Sequence, residues 1–162
     1  VSYELHPETP ASGILLSERF KGYNVSKMYD QLRQRGKEFG IVFGNHTVLS
    51  NSRIALEASE YARDMGMFDS FHENMFRAYF TEALDIGNHD VVSSVAKGSG
   101  IDADSMMAAI QEGRYRTRLD EARKEGRMIK LTGVPTFIID GKYKIIGAQP
   151  LDVFKEVISK LK

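Results

Sequence analysis

The sequence predicts an α/β fold in which a long helical block separates one short strand from a β-hairpin and a closing helix. Strand-forming residues open the chain at positions 1–5, and apolar residues then recur at helical spacing along most of the chain. Two short apolar runs flank Asp140 and Gly141, the pattern of a hairpin. Because the helical block is too long for one crossover helix, we expect it to be a subdomain packed on the sheet.

The first 48 residues predict one strand, an irregular connection and two helices. Residues 1–5 alternate loosely as a strand does, and the prolines that follow end it. Residues 17–39 predict two helices separated near Gly22, with Ser26 as N-cap of the second. Residues 40–48 are expected to form a loop.

The middle of the chain predicts further helices bounded by glycines and capping residues. They cover residues 53–65, 68–82, 90–97, 102–112 and 114–130. Three of them have a marked apolar side. In the first it carries Ile54, Ala55, Ala58, Ala62 and Met65. In the second it carries Phe68, Phe71, His72, Met75, Phe76, Tyr79 and Phe80, and in the last Tyr115, Leu119, Ala122, Gly126 and Ile129.

The last 30 residues change character. Residues 136–139 and 143–146 are predicted strands, joined through the turn at Asp140 and Gly141. Pro150 suits the first turn of a closing helix, because its missing N–H would be unpaired there in any case. That helix places its apolar residues on one side: Leu151, Phe154, Val157, Ile158 and Leu161.

The composition is that of a soluble globular protein. It is 42% hydrophobic and 27% charged, with 22 acidic and 22 basic residues. The balanced charge predicts no nucleic-acid or membrane-surface partner, and no apolar run reaches the length of a membrane span. No basic segment followed by an apolar run opens the chain, so we expect a cytoplasmic protein.

Two features of the printed sequence limit its chemistry. It contains no cysteine, so these 162 residues form no disulfide and offer no thiolate nucleophile. It also begins with Val1 and not with methionine, as a processed chain or a fragment would. We expect no cofactor.

The loop Gly133-Val134-Pro135-Thr136 is the best candidate for a binding site. A proline that opens a strand after Gly and Val either starts an edge strand in the trans form or forms a cis bond. The tripeptide alone favours the trans form. A cis bond would leave the backbone N–H and C=O of Val134 pointing outward, free to pair with an extended peptide.

Metal-binding patterns are absent from the sequence. The four histidines, His6, His46, His72 and His89, show no i, i+4 pairing and have no cysteine partners. Asp85, Asn88 and Asp90 do not have the offsets of an EF-hand loop. His72 lies beside phenylalanines on a helix face and is interpreted as a packing residue. We predict no metal site.

The loop belongs to a longer pattern with a family resemblance. Residues 132–142 (Thr-Gly-Val-Pro-Thr-Phe-Ile-Ile-Asp-Gly-Lys) and 145–150 (Ile-Ile-Gly-Ala-Gln-Pro) resemble the C-terminal signature of the FrnE-like branch of DsbA-family thioredoxin-fold oxidoreductases. Residues 76–82 (Phe-Arg-Ala-Tyr-Phe-Thr-Glu) resemble the helical insertion of that branch. Residues 4–7 (Glu-Leu-His-Pro) and 51–52 (Asn-Ser) also match, so the resemblance covers essentially the whole chain.

The resemblance implies an incomplete thioredoxin-like fold with a large all-helical insertion. Residues 1–12 and 131–162 would form the thioredoxin-like half-domain, and residues 13–130 the helical insertion subdomain. Family members begin with a strand, a Cys-x-x-Cys motif and the helix that follows it, all before the strand corresponding to residues 1–5. That segment, with the central first strand, is missing here. We therefore expect a truncated or proteolysed chain, a misjudged gene start, or a strand supplied by another molecule.

The resemblance also implies a function. The intact protein would be a disulfide oxidoreductase that exchanges thiols and disulfides with protein or peptide substrates. The sequence leaves open whether it forms a homodimer. Pro135 would be cis, and Val134, Pro135 and Thr136 would bind substrate. No catalytic residue lies in this chain, because thiol–disulfide exchange requires a thiolate, so the chain alone is expected to be redox-inactive.

Two alternatives share the same fold. Kappa-type glutathione transferases and hydroxychromene-carboxylate isomerases also have the helical insertion and a Val-Pro loop, carry Ser in place of the first Cys, and bind glutathione. Residues 147–150 (Gly-Ala-Gln-Pro) argue for the FrnE-like branch instead. The other alternative is a non-catalytic module that keeps the peptide groove and has lost the redox centre.

Overall fold

The computed structural model describes residues 2–161, which form two compact units, one up to Asp120 and one from Glu121 onward. In chain order the elements are β1 (Ile14–Leu15), α1 (Leu16–Arg19), α2 (Val25–Lys37), β2 (Val48–Leu49), α3 (Arg53–Asp64), α4 (Phe68–Phe76), a π-helix (Arg77–Thr81), α5 (His89–Gly98), α6 (Ala103–Gln111), α7 (Arg116–Met128), β3 (Thr136–Ile139), β4 (Tyr143–Ile146) and α8 (Leu151–Ser159). The division into a half-domain and an insertion stays a prediction.

The strand expected at residues 1–5 is wrong for residues 2–5, and Val1 lies outside the described residues. Residues 2–5 are irregular, because a strand needs a neighbour to pair its N–H and C=O groups. Side chains hold this segment on α3 instead. The Ser2 hydroxyl donates to Glu60 Oε1 at 2.6 Å, and Arg53 donates to Glu4 Oε2 at 3.1 Å.

A short antiparallel pair, β1 with β2, joins two segments for which the sequence predicts no strand. Ile14 lies opposite Leu49 and Leu15 opposite Val48. Gly13, with a φ of 73°, precedes β1, and a Cβ there would lie 2.6 Å from Val48 Cγ1. The pair therefore needs a glycine at this position, both for the backbone angle and for the close approach.

The N-cap of the second helix lies two residues before its predicted position. Asn24, not Ser26, is the N-cap of α2, and its Oδ1 accepts from the backbone N–H of Lys27 at 2.9 Å. Asn and Ser are equally good caps, so the first one along the chain can start the helix. The helix break near Gly22 lies where the sequence predicts it.

The core of the first unit lies among α3, α4, α5 and α6. Ala58 and Ala62 are fully buried on α3, and their small side chains let Phe71 of α4 and Met106 of α6 pack closely. Met65, expected on the same side, is exposed because it lies beyond the end of α3 as its C-cap. The small residues on one face of α3 therefore determine where the core forms.

The helix predicted over residues 68–82 is two structures. α4 ends at Phe76, and a π-helix continues over Arg77–Thr81, closed by a 3.0 Å hydrogen bond from Glu82 N to the Arg77 carbonyl. Apolar spacing does not distinguish the two, because the extra residue of a π-turn shifts the face by only part of a turn. Two residues predicted on the apolar face are exposed in α4 itself: His72, and Phe76 at 51%.

The helices α5 and α6 begin at polar caps close to their predicted bounds. Asn88 Oδ1 accepts from Asp90 N and Asp102 Oδ1 from Ser105 N, both at 2.7 Å. None of the helices in the described range is long and apolar enough to cross a membrane.

The second unit contains the predicted hairpin and closing helix. β3 and β4 pair antiparallel from Thr136 opposite Ile146 to Ile139 opposite Tyr143, and no third strand joins them within residues 2–161. Asp140 and Gly141 have φ values of 54° and 64°, the positive angles that this class of turn requires.

Several apolar residues of the second unit are exposed, contrary to expectation. Ile129 lies past the end of α7 and Leu161 past the end of α8, and both are exposed. Leu151 and Ile158 of α8 are exposed as well, so the predicted apolar faces are only partly covered among the described residues.

Candidate functional site

The loop at residues 133–136 lies at the open end of the hairpin, immediately before β3. The Val134–Pro135 bond is cis, whereas the tripeptide alone favours trans. Two hydrogen bonds fix the loop: Gly147 N donates to the Pro135 carbonyl at 2.7 Å, and the Thr136 hydroxyl donates to the Gly133 carbonyl at 2.6 Å. The loop is thereby held by both strands of the hairpin.

Val134 is the open position of this loop. The residue is 48% exposed, and neither its N–H nor its C=O forms a hydrogen bond with a described residue. Pairing in the hairpin begins only at Thr136. An unpaired donor and acceptor beside a strand is the arrangement to which an extended peptide can add.

Apolar residues surround the loop. Ile146, opposite Thr136, is partly exposed, and a Cβ at Gly133 would lie 3.4 Å from its Cγ2 atom. On the next pair, the ring of Phe137 meets that of Phe154 of α8 edge to face, at 4.9 Å between centroids. This contact fixes the strand on which the loop depends.

The three predicted site residues, Val134, Pro135 and Thr136, lie together and carry no titratable side chain. They offer two backbone groups, one hydroxyl already engaged, and apolar surface. With no cysteine among these 162 residues, the site contains no thiolate for disulfide exchange.

The histidines make local contacts. Within residues 2–161, no group of three His, Asp or Glu side chains is placed to hold a metal ion. His6 Nδ1 lies 3.2 Å from both Glu8 and Arg19. His72 packs between the rings of Phe68, at 5.0 Å, and Phe76, at 4.3 Å, and burial is the main cause that lowers its pKa.

Asp85 and Asn88, which do not match a calcium-binding loop in sequence, accept hydrogen bonds from nearby backbone N–H groups. Asp85 Oδ1 accepts from Gly87 N at 3.0 Å, and Asn88 caps α5. The sequence shows no metal-binding pattern at His46 and so predicts no role for it, but His46 lines a polar cavity with residues of α2. No sequence signal could have found that cavity, because its side chains come from separate segments.

The comparisons with known proteins decide the family. A model of the DSBA-like thioredoxin domain matches residues 2–159. The chain belongs to the DSBA-like thioredoxin family. It is similar to the uncharacterized protein YwbO of Bacillus subtilis, with 32% identity over 107 residues, which are 65% of this chain and 53% of that protein. It is also similar to the thiol:disulfide interchange protein DsbA of Pseudomonas aeruginosa, with 24% identity over 80 residues, 49% of this chain and 38% of DsbA.

A solved structure supports the fold. The crystal structure of a probable DsbA oxidoreductase from Streptomyces coelicolor superposes with a TM-score of 0.82 at 20% sequence identity, covering 97% of this chain and 71% of that one. The thioredoxin-like fold class is therefore confirmed. The chain spans about half the length of YwbO and less of DsbA.

Proposed function

We propose that this chain is the substrate-binding part of a FrnE-like protein disulfide oxidoreductase. Its family includes thiol:disulfide interchange proteins, and the observation that carries the proposal is the exposed, unpaired backbone of Val134 at the open end of the hairpin. The redox cysteines of the working enzyme come from residues outside these 162, because none is present among them.

In this function the loop recognises substrate by its backbone. A peptide in extended conformation pairs its own N–H and C=O with those of Val134, as an added strand does. The exposed side chains of Val134 and Ile146 then cover the apolar residues that flank the substrate's cysteine. Backbone pairing suits an enzyme that accepts many sequences, since every peptide offers the same groups.

A peptide titration tests the binding step. An unreactive peptide, with Ser in place of its cysteine, is added to the isotope-labelled protein and the Val134 amide signal is followed by NMR. We expect a saturable shift there. The same peptide methylated at the pairing nitrogen should bind about 2–10-fold more weakly, the effect of losing one hydrogen bond. Equal affinity of the two peptides would refute backbone pairing.

A second experiment tests the redox assignment. In an insulin reduction assay the 162-residue chain should show no turnover, and the protein encoded with any upstream Cys-x-x-Cys segment should be active. An encoding gene without such a segment would remove the proposal. Glutathione binding by the intact protein in calorimetry, without peptide binding, would favour the glutathione-dependent alternative.

A further inference from the structure

A polar cavity of about 240 Å³ lies in the first unit, where the N-terminal end of α2 meets the segment before β2. We call it the α2 cavity. Its lining consists mainly of polar side chains from two segments that are not adjacent in the sequence: Val25, Ser26, Tyr29, Arg33, Asn45 and His46. The loop at residues 133–136 belongs to the other unit.

The π-helix holds one wall of this cavity. Its wide turn leaves the carbonyls of Tyr79 and Phe80 available to groups outside the helix: His46 Nε2 donates to the first, and Gly44 N donates to the second at 2.8 Å. The Thr81 hydroxyl donates to the Val42 carbonyl at 2.8 Å. The segment that carries His46 is therefore fixed, as is frequent where a π-turn interrupts a helix at a functional site.

His46 is only 8% exposed and presents an unused acceptor. Because its Nε2 bonds to a carbonyl, which can only accept, that nitrogen carries the proton. In the neutral ring Nδ1 is then a bare acceptor, and no described residue hydrogen-bonds to it. This nitrogen is not sealed from solvent, so a ligand in the cavity can reach it with a donor.

Tyr29 is the second buried group without a partner. It is also 8% exposed, its ring lies 6.1 Å from that of His46, and no described residue hydrogen-bonds to its hydroxyl. Burial raises the pKa of Tyr29, so the hydroxyl stays protonated and can donate. The Tyr29 hydroxyl, like His46 Nδ1, is not sealed from solvent, so a ligand in the cavity that both residues line can reach it.

The remaining lining is rich in donors and positively charged. Asn24 caps Lys27 N, which leaves the first N–H groups of α2, at Val25 and Ser26, without a partner in the helix. The Arg33 guanidinium is held in place by the carbonyls of Phe43 and Gly44, each at 3.2 Å.

Two further contacts of that guanidinium affect the charge and the donors at the cavity. Arg33 also donates to Asn45 Oδ1 at 2.5 Å, so the Asn45 amide nitrogen stays available as a donor. One carboxylate, that of the exposed Asp30, pairs with the guanidinium at 3.0 Å. The pair is open to solvent, so it only partly offsets the positive field of the arginine and the helix end.

We propose that the α2 cavity binds a small ligand that carries an oxyanion beside an O–H donor, the chemistry shared by hydrogen phosphate and hydroxy carboxylates. The oxyanion accepts from the N-terminal end of α2, from the Ser26 hydroxyl and from the Tyr29 hydroxyl. The O–H group donates to His46 Nδ1. This assignment satisfies both buried groups at once and places the negative charge near Arg33.

NMR titration of the isotope-labelled protein tests the proposal with three probes: inorganic phosphate, lactate and acetate. We expect saturable shifts of the Val25 and Ser26 amides with phosphate or lactate, and the responding probe identifies the source of the oxyanion. Acetate has no O–H donor for His46 and should bind several-fold more weakly than lactate. Shifts that do not saturate, or that are spread over the surface, would overturn the site.

Matched variants make the test specific. Tyr29→Phe removes one hydroxyl and should raise Kd about tenfold, the loss expected for a hydrogen bond to a charged ligand. Tyr23→Phe is the control, because Tyr23 is 78% exposed and does not line the cavity, and it should leave Kd unchanged. Should Tyr29→Phe melt early, the exposed Ser26→Ala replaces it, with a several-fold rise in Kd expected. An unchanged Kd in the cavity variant would refute the proposal.

Discussion

Replacing Arg53 with methionine should strongly destabilise the first unit. Arg53 donates to Glu57 Oε1 at 2.9 Å, to Glu4 Oε2 at 3.1 Å and to Asp120 Oδ1 at 3.2 Å. Glu4 and Glu57 are each about 5% exposed, and Glu57 Oε2 already has no hydrogen-bond partner among the described residues. The variant would remove the cation that one oxygen of each of these two buried carboxylates faces.

The magnitude follows from burial. Removing one partner of a buried ion pair costs about 3–5 kcal/mol, because the other charge stays desolvated. Arg53 is itself a quarter exposed, so water can partly replace it, and we expect the lower end, about 3 kcal/mol. Glu4 lies in the irregular N-terminal segment, so its attachment to α3 should weaken in the same variant.

Urea denaturation followed by circular dichroism measures this effect. With a slope of about 1–3 kcal/mol/M, the loss lowers the midpoint by about 1–3 M. Arg114→Met is the matched control, since Arg114 and its partner Glu112 are both more than half exposed, and its loss should stay below about 1 kcal/mol. Equal midpoint shifts for the two variants would refute the argument that burial makes Arg53 important.

Two further predictions concern other contacts of the first unit. In Gly44→Ala the new Cβ would overlap the Thr81 carbonyl, and the free energy of unfolding measured in urea should fall by about 1–3 kcal/mol. Gly98→Ala is the control, because a Cβ there meets open space and should change the stability little. Similar losses of stability in the two variants would contradict this reasoning. The hydrogen bond from Arg118 is the main cause that lowers the pKa of Asp64 below its ordinary 3.8. Because the folded pKa is depressed, this stabilisation is present above pH 3.8 and is lost as pH falls through the folded value. Arg118→Gln should therefore be slightly less stable than the wild type at neutral pH, by a small amount because the pair is exposed, and equally stable in acid. A difference in stability that persists in acid would contradict the assignment.

The elements that the sequence predicts well are those specified by local chemistry. The turn at Asp140 and Gly141 needs positive φ at both residues, a requirement that Asp-Gly meets at low cost. Asp102 begins α6 because its side chain reaches the N–H of Ser105. The buried alanines of α3 follow from spacing alone.

The elements that it misses depend on tertiary neighbours. Residues 2–5 have strand-like composition but no partner to pair with, and the two-residue strands β1 and β2 exist only because they meet each other. The π-helix at Arg77–Thr81 keeps helical spacing, and its wider turn is visible only in the structure, in the hydrogen bond from Glu82 N to the Arg77 carbonyl. Its last residues also bond to residues 42–46, which are distant in the sequence.

In the candidate loop, too, the sequence predicts the local features and misses those that depend on neighbouring segments. Its residues could be chosen from the sequence because Pro135 and the flanking turn restrict the backbone locally. What the sequence does not predict is that Gly147 and Thr136 bond to the carbonyls of Pro135 and Gly133 and leave the Val134 backbone unpaired. In the function we propose, the loop binds through main-chain groups, so the side chain at position 134 can vary while hydrogen-bonding capacity is kept. The side chains that carry out exchange are a separate requirement, which explains how a chain without cysteine can retain a formed substrate loop.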